Sequence, residues 1–287
     1  MTANSLPMLG IDSFAYHRYF GEVGEWEEPL LARWSTLDFL NRAAELDVDA
    51  VSLQTVYLED LSSAAMEVLS AELADRGLTP VLAWGHRSGL ASGASRERFE
   101  DALRTLDVAV DVGASLMRIV CGDQFSWTVP VSERKARLAP ILRTLASAAA
   151  DRDVTMAIEN HADFTMADLV DLIGMVEAPN LGICFDVGNT IRVGDDPVAA
   201  ATLAAPLVRM VHVRDIAVQP DSKGRPAAWW PSVPLGCGDV AVAAVLERVG
   251  APHGAGWFVE MSTMHPDHPD EDDAVRRSLA FLRDLAV

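Results

Sequence analysis

Eight short apolar runs recur along this chain of 287 residues, and each is followed by a segment with helical periodicity. Buried parallel strands read as short apolar runs, and their alternation with helices is typical of α/β proteins. Eight such units close a barrel, which commonly forms one domain of about 250 residues. We therefore predict an α/β fold, a single-domain (β/α)₈ TIM barrel over residues 1–287. The predicted strands are Met8–Phe14, Ala50–Gln54, Thr79–Trp84, Leu116–Val120, Thr155–Glu159, Gly182–Asp186, Arg209–Val213 and Trp257–Met261.

Two connections between predicted strands and helices are longer than the rest, His17–Leu31 and Asp215–Gly238. Loops that follow barrel strands lie over the carboxyl-end face, where TIM-barrel active sites are found. The second connection contains Trp229 and Trp230, which are costly to leave in water. We therefore expect an ordered substrate loop there rather than a linker.

The charge balance bears on the binding partners. The chain has 42 acidic and 23 basic side chains, a formal net charge of −19. Such a surface repels phosphate backbones and anionic membranes, so we expect neither nucleic acid nor membrane as a partner. The three cysteines are widely spaced, with no pair typical of zinc or redox motifs. The polar first residues and the lack of a run of ~20 apolar residues indicate no signal peptide or membrane span, and we expect a cytoplasmic protein.

Polar side chains close the last four predicted strands, each of which is otherwise apolar. In a TIM barrel the residue that ends a strand projects into the carboxyl-end mouth. Four neighbouring strands thus deliver three carboxylates and one imidazole to one place: Glu159, Asp186, His212 and Glu260.

Three crowded carboxylates repel one another unless a cation compensates them, so this cluster predicts a bound divalent metal. Oxygen-rich ligation with one histidine favours Mn²⁺, with Mg²⁺ or Co²⁺ as alternatives, over a structural zinc site built on thiolates. The competing interpretation is that each acid is a helix cap or an ion-pair partner near a strand end. That interpretation is reasonable for one acid but must hold four times over at matching strand ends.

These residues resemble the xylose isomerase-like barrels, which include ketose 3-epimerases, hydroxypyruvate isomerase, inosose and dehydroshikimate dehydratases, and endonuclease IV. The resemblance covers nearly the whole chain and is specific for the superfamily, but it does not select a substrate. It rests on Glu159-Asn160-His161, Asp186-Val187-Gly188-Asn189, His212-Val213-Arg214-Asp215, Pro234-Leu235-Gly236-Cys237-Gly238-Asp239 and Glu260.

The resemblance implies a metal held by Glu159, Asp186, His212 and Glu260, with Glu159 and Glu260 also moving protons. Carbonyl and hydroxyl oxygens on the metal make the intervening carbon of a keto sugar acidic enough for a carboxylate to deprotonate. No organic cofactor is then needed. Endonuclease IV carries a further histidine three residues after the strand-six aspartate, where this chain has Asn189. That difference and the charge of −19 argue against DNA repair.

Two enzymatic hypotheses share this first step. The favoured one is a sugar isomerase or epimerase, in which the proton returns to a neighbouring or the same carbon. The alternative is a lyase that eliminates a β-substituent, such as an inosose- or dehydroshikimate-type dehydratase. The stretch from Phe14 to Glu22 is also similar to one in catalytic subunits of C-glycoside deglycosidases, which act on 3-keto glycosides and can work with a small β-sandwich subunit. A homo-oligomer and a metal-free binding barrel are the other options.

Further residues are assigned to the small-molecule carbohydrate substrate. His161 is a candidate second base, or else a cap. Arg214 shares the inward side of its strand with His212 and is predicted to grip a substrate oxygen, with a pair to Asp215 as the alternative. The remaining predicted substrate contacts, for which plain packing is the alternative, are His17, Trp84, His86, Trp229 and Trp230.

Overall fold

The computed structural model describes residues 7–24, 27–86, 88–218, 230–252 and 255–285. The strands are β1 (Leu9–Asp12), β2 (Ala50–Gln54), β3 (Thr79–Ala83), β4 (Leu116–Val120), β5 (Thr155–Glu159), β6 (Leu181–Asp186), β7 (Val208–Val213), β8 (Asp215–Ile216), β9 (Ser232–Val233) and β10 (Gly256–Val259). All except β8 and β9 form a closed parallel barrel in the order β1-β10-β7-β6-β5-β4-β3-β2. The predicted (β/α)₈ barrel is therefore confirmed.

Helices surround the barrel, and several begin where a side chain accepts a hydrogen bond from a first-turn N–H, as Ser35, Thr165 and Asp196 do. The helices are α1 (Thr36–Glu45), α2 (Ser63–Asp75), α3 (Arg96–Val112), α4 (Val131–Ala150), α5 (Met166–Val176), α6 (Asn189–Arg192), α7 (Pro197–Ala204), α8 (Val242–Val249) and α9 (Glu271–Leu285). Short 3₁₀ turns are Ser13–Tyr16, Thr55–Tyr57, Ala91–Gly93, Gln124–Thr128 and Ala205–Leu207. None of the helices in these ranges has the length and apolar character needed to cross a bilayer.

Alternation of side chains along the strands divides the core in two. Outward-facing residues pack against the helices in one large apolar cluster. Inward-facing residues form a second cluster, and Phe258 fills so much of it that a Cβ on Gly10 would lie 2.5 Å from its ring. Because the period of a strand is two, the next inward position of each strand in this cluster lies toward the carboxyl end, and all of these except Ala83 of β3 are polar. They are Ser52, Arg118, Glu159, Asp186, His212 and Glu260.

Some predicted boundaries differ from the structure. The first strand was expected to reach Phe14, but it ends at Asp12, whose carboxylate accepts the Phe14 N–H at 2.7 Å and starts a 3₁₀ turn. The long connection after β7 contains the antiparallel pair β8 and β9. Trp229, a predicted substrate contact in that connection, lies outside the described residues.

Candidate active site

The four predicted metal ligands meet at the carboxyl end of the barrel. Each offers one ligand atom, all four atoms lie within 4.8 Å of one another, and all four residues are buried. Strand register produces this meeting, because β6 and β7 pair Asp186 with His212, and β7 and β10 pair His212 with Phe258, two residues before the last ligand. Glu159 ends β5 next to them, and Glu260 follows β10.

The bonding state of the ligand atoms tests whether a cation fits this cluster. Glu159 Oε2, Glu260 Oε2 and both ring nitrogens of His212 are buried without a hydrogen-bond partner among the described residues. His212 Nδ1 lies 3.4 Å from both Glu159 Oε2 and Glu260 Oε1. Buried polar atoms are almost always satisfied, so converging orphan atoms of this kind are suited to hold a divalent metal.

Arg214 lies inside the cluster. Its guanidinium donates to Asp186 and, at 3.0 Å, to Asn189 Oδ1, and it lies 3.4 Å from Glu260 Oε2. The alternative pairing with Asp215 is wrong, because that carboxylate instead accepts four backbone N–H groups from the two ends of the β7–α8 connection. Arg214 also lines the cleft, so its role toward substrate stays a prediction.

Arg118 is a site residue that sequence reasoning missed. It points inward from the middle of β4, is buried, and places Nε 3.1 Å from Glu159 Oε2. Burial favours the neutral acid, but the charges of Arg118 and His212 outweigh that effect and lower the pKa of Glu159. An arginine in an otherwise apolar, fully buried strand was the signal that could have identified it.

Asp186 and His212 respond to the same field. Burial and the nearby carboxylates raise the pKa of Asp186 to about 6, although the charge of Arg214 opposes the shift. Burial disfavours the charged imidazole of His212, yet its acidic neighbours raise its pKa well above the ordinary value. Both shifts show a cluster with more negative charge than its two arginines balance.

Two asparagines hold the ligands in place. Asn160 bridges the ends of β5 and β6: its Nδ2 donates to the Asp186 carbonyl at 2.9 Å, and its Oδ1 accepts the Asp186 N–H at 2.8 Å. Asn189 donates its N–H to Asp186 Oδ1 at 2.7 Å and its Nδ2 to Glu159 Oε1 at 3.3 Å. Such outer contacts orient a ligand set before any ion binds.

A cleft of about 830 Å³ opens above the cluster. His17, His86, His161 and Trp230, like Arg214, line it, in agreement with where they were expected. Trp84 does not: its indole is 1% exposed and donates from Nε1 to Asp101 of α3 at 2.8 Å, so it packs in the barrel wall. The expectation that Trp84 forms part of the cleft surface is therefore wrong.

Two of the histidines that line the cleft differ in how many of their ring nitrogens are hydrogen-bonded. His161 Nδ1 lies 3.3 Å from the Gly122 carbonyl, and the residue is only partly buried in the cleft wall. His17 is buried, with Nε2 2.8 Å from Glu27 Oε2 and Nδ1 3.1 Å from the Phe14 carbonyl. Both ring nitrogens of His17 are engaged, so it can offer the cleft a ring face rather than a free donor.

Aromatic side chains that sequence reasoning missed also line the cleft. Phe20 stacks on Tyr57 with ring centroids 4.6 Å apart, and Phe14 lies parallel to the same ring at 6.4 Å. On the loop after β4, Phe125 is 72% exposed and Trp127 is 47% exposed. No local pattern marks these residues, because their shared surface arises only when separate loops meet over the barrel.

A family model described as xylose isomerase-like TIM barrel matches residues 40–285. The chain belongs to the xylose isomerase-like TIM barrel family. The predicted family is therefore confirmed. In sequence, the chain is 32% identical over 101 residues to the uncharacterized protein YihM of Escherichia coli (strain K12). That match spans 34% of this chain and 29% of YihM, less than a third of the relative's length.

Solved structures share the xylose isomerase-like barrel. L-ribulose 3-epimerase matches with a TM-score of 0.71 and 18% identity, covering 98% of this chain and 95% of that chain. The probable 3-DHS dehydratase AsbF of Bacillus anthracis matches with a TM-score of 0.69 and 16% identity, covering 96% of this chain and 98% of that chain. The IOLI protein with a binding zinc atom matches with a TM-score of 0.74 and 15% identity, covering 97% of this chain and 98% of that chain. At sequence identities this low, the structural matches establish a common fold and nothing more.

Proposed function

We propose that this xylose isomerase-like barrel is a divalent-metal-dependent sugar isomerase or epimerase, with Mn²⁺ the favoured ion. The observation that carries the proposal is the pair of buried carboxylates, Glu159 and Glu260, at the base of the cleft. Each has an oxygen 3.4 Å from His212 Nδ1 and an oxygen without a hydrogen-bond partner among the described residues. The fold shared with L-ribulose 3-epimerase supports it. The zinc in the IOLI structure supports a metal in a barrel of this kind.

The ion would be held by the four clustered ligands, and when bound it would polarise a substrate carbonyl and stabilise charge that develops beside it. The chain's own residues then move the proton. Glu159 or Glu260 accepts a proton from the carbon next to the carbonyl, whose electrons shift to form an enediolate. Return of a proton to the same carbon from the opposite side gives the epimer, and return to the neighbouring carbon gives the isomer. His161 is the reserve base.

The surrounding residues prepare this transfer. Arg118 favours the ionised state of Glu159, which must be a carboxylate to act as a base. Asn189 restrains the other oxygen of Glu159 through its Nδ2. The walls of the cleft contribute stacking surface at Tyr57 and Trp230, which suits the apolar faces of a sugar ring.

Hydrogen exchange in D₂O tests the proposal. Metal-loaded protein incubated with a panel of ketoses is expected to place deuterium at the reacting carbon of recovered sugar, read by NMR. Glu159→Gln and Glu260→Gln are each expected to reduce exchange about 10²- to 10⁴-fold, the usual contribution of a general base. Glu45→Gln, on the exposed surface of α1, is the control and should match the parent protein. Near-normal exchange in both site variants would assign the proton elsewhere.

The second candidate function is a lyase acting by β-elimination on a keto sugar, as a dehydratase or a 3-keto C-glycoside deglycosidase. It is favoured by the apolar cleft mouth, where Phe125 and Trp127 are exposed and could stack on a substituent beyond one sugar ring. The fold shared with the AsbF dehydratase also supports it. Elimination creates a conjugated enone, so ultraviolet absorbance and mass loss of water or aglycone distinguish it from isomerisation.

Assembly remains a separate proposal. We propose a homo-oligomer for the isomerase and a small β-sandwich subunit for the deglycosidase alternative. Size-exclusion chromatography with light scattering, on protein purified alone and after co-purification from its native source, measures which assembly forms. A monomer that retains full ketose exchange would refute the need for either partner.

A further inference from the structure

Arg192 lies at the cleft wall and has no ion-pair partner among the described residues. It is the last residue of α6, the short helix that begins at Asn189, and its side chain lines the cleft. Its Nε is buried without a hydrogen-bond partner, and among the described residues its guanidinium makes no hydrogen bond or ion pair. Arg192 is partly buried, and burying a guanidinium that has no close partner is costly, so its position facing the cleft needs a reason.

By contrast, the four arginines that are buried among the described residues all have partners. Arg18 donates to Glu271, Arg134 donates to the Asp163 carbonyl, and Arg118 and Arg214 lie against carboxylates of the metal cluster. Arg192 therefore differs from them in kind: its charge is not used to hold the fold or the ligands together. Burial, followed by the charge of Arg214, lowers its pKa to about 10, so it stays cationic at neutral pH.

The remaining acids of the cleft are occupied elsewhere. Glu22 accepts the hydroxyl hydrogen of Tyr57 at 2.8 Å, and Asp123 accepts the Phe125 N–H at 3.0 Å. In the cluster, Glu159 is ion-paired with Arg118 and Asp186 with Arg214. The cleft wall at α6 thus carries a guanidinium that forms no ion pair with any described carboxylate, in a protein whose net charge is −19.

We propose that Arg192 binds an oxyanion of the substrate, a carboxylate or a phosphate, so that the enzyme acts on an acidic keto sugar rather than a neutral one. A planar guanidinium matches either group through two parallel N–H bonds. The proposal rests on the proposed function for the reacting end of the sugar. It adds the second contact point, which fixes how the sugar lies along the cleft.

Three sugars that differ only at carbon 6 test the inference: D-fructose, D-fructuronate and D-fructose 6-phosphate. Binding to Mn²⁺-loaded protein is measured by calorimetry at fixed ionic strength. At least one acidic sugar is expected to bind tenfold or more tightly than fructose, and the tighter of the two identifies the oxyanion. Arg192→Met should remove this preference while leaving fructose affinity within about twofold, because charge-assisted contacts are lost and little else changes. Arg192→Lys should keep part of the preference.

Arg137→Met is the matched control, since Arg137 lies on α4 and pairs with Glu133 there. It should retain the full preference. If no acidic sugar binds better than fructose, or if Arg192→Met keeps the preference, the inference is overturned. Deuterium exchange on the same samples separates the two proposals. Exchange without acid preference refutes only the role of Arg192, whereas acid preference without exchange or elimination refutes only the proposed chemistry.

Discussion

Asn160→Ala tests whether the cluster is a metal site whose ligands are held in advance. The substitution leaves the buried N–H and C=O of Asp186 without partners. At about 1–3 kcal/mol for each orphaned group, the metal-free protein should lose about 2–6 kcal/mol of unfolding free energy. The freed ligand should also weaken metal binding about 10- to 100-fold, as loss of an outer contact does. Since tenfold in affinity is about 1.4 kcal/mol, the stabilisation by metal should shrink by about 1.4–2.7 kcal/mol.

Asn180→Ala provides the comparison, because Asn180 makes similar bonds to the Ala146 and Val154 carbonyls but lies just before β6, at the opposite end of the barrel. Urea unfolding is measured for both variants and the parent, first in chelator and then with excess Mn²⁺. Both variants should be less stable without metal. Only Asn160→Ala should gain less from metal than the parent. The reasoning would be refuted if metal raised the unfolding free energy equally in all three proteins. It would also be refuted if none of Mn²⁺, Mg²⁺, Co²⁺ and Zn²⁺ raised the unfolding free energy of the parent.

Three further predictions concern the loops and the barrel seam. Burial opposes protonation of His17, but the hydrogen bond and charge of Glu27 raise its pKa overall. The protonated imidazole therefore stabilises the fold fully below pH 6.5, and this stabilisation is lost as pH rises through the raised pKa. In urea titrations, the difference in unfolding free energy between the parent and His17→Gln should narrow from about pH 6 to 9. Gly256→Ala should cost at least about 1–3 kcal/mol, because φ is +92° and the Cβ would lie 2.1 Å from a backbone oxygen before β1, whereas Gly174→Ala in open space on α5 should stabilise by about 0.4–1 kcal/mol. Asp215→Ala should remove four acceptor contacts and accelerate proteolysis of the β7–α8 connection, and cleavage at the parent rate would contradict that role.

The sequence alone was sufficient for the barrel and for the four clustered ligands, for a local reason. A buried parallel strand is a short apolar run, and the polar residue that closes it marks the carboxyl end. Closure of the barrel brings neighbouring strand ends together whatever the loops do. For this reason Glu159, Asp186, His212 and Glu260 could be predicted to share one mouth, and the structure places them within 4.8 Å.

Only the tertiary structure decided which charges meet and which do not. Arg214 neighbours Asp215 in sequence, yet strand alternation turns them apart and the arginine reaches Asp186 at the end of the neighbouring strand β6. Trp84 resembled a cleft residue until its indole was found against α3. Arg192 is one charged residue among many in the sequence, and only the three-dimensional structure shows that no described residue forms a hydrogen bond or ion pair with it. Periodicity along the chain determines which face a residue takes, but partners across the barrel depend on register and loop packing, which no local pattern encodes.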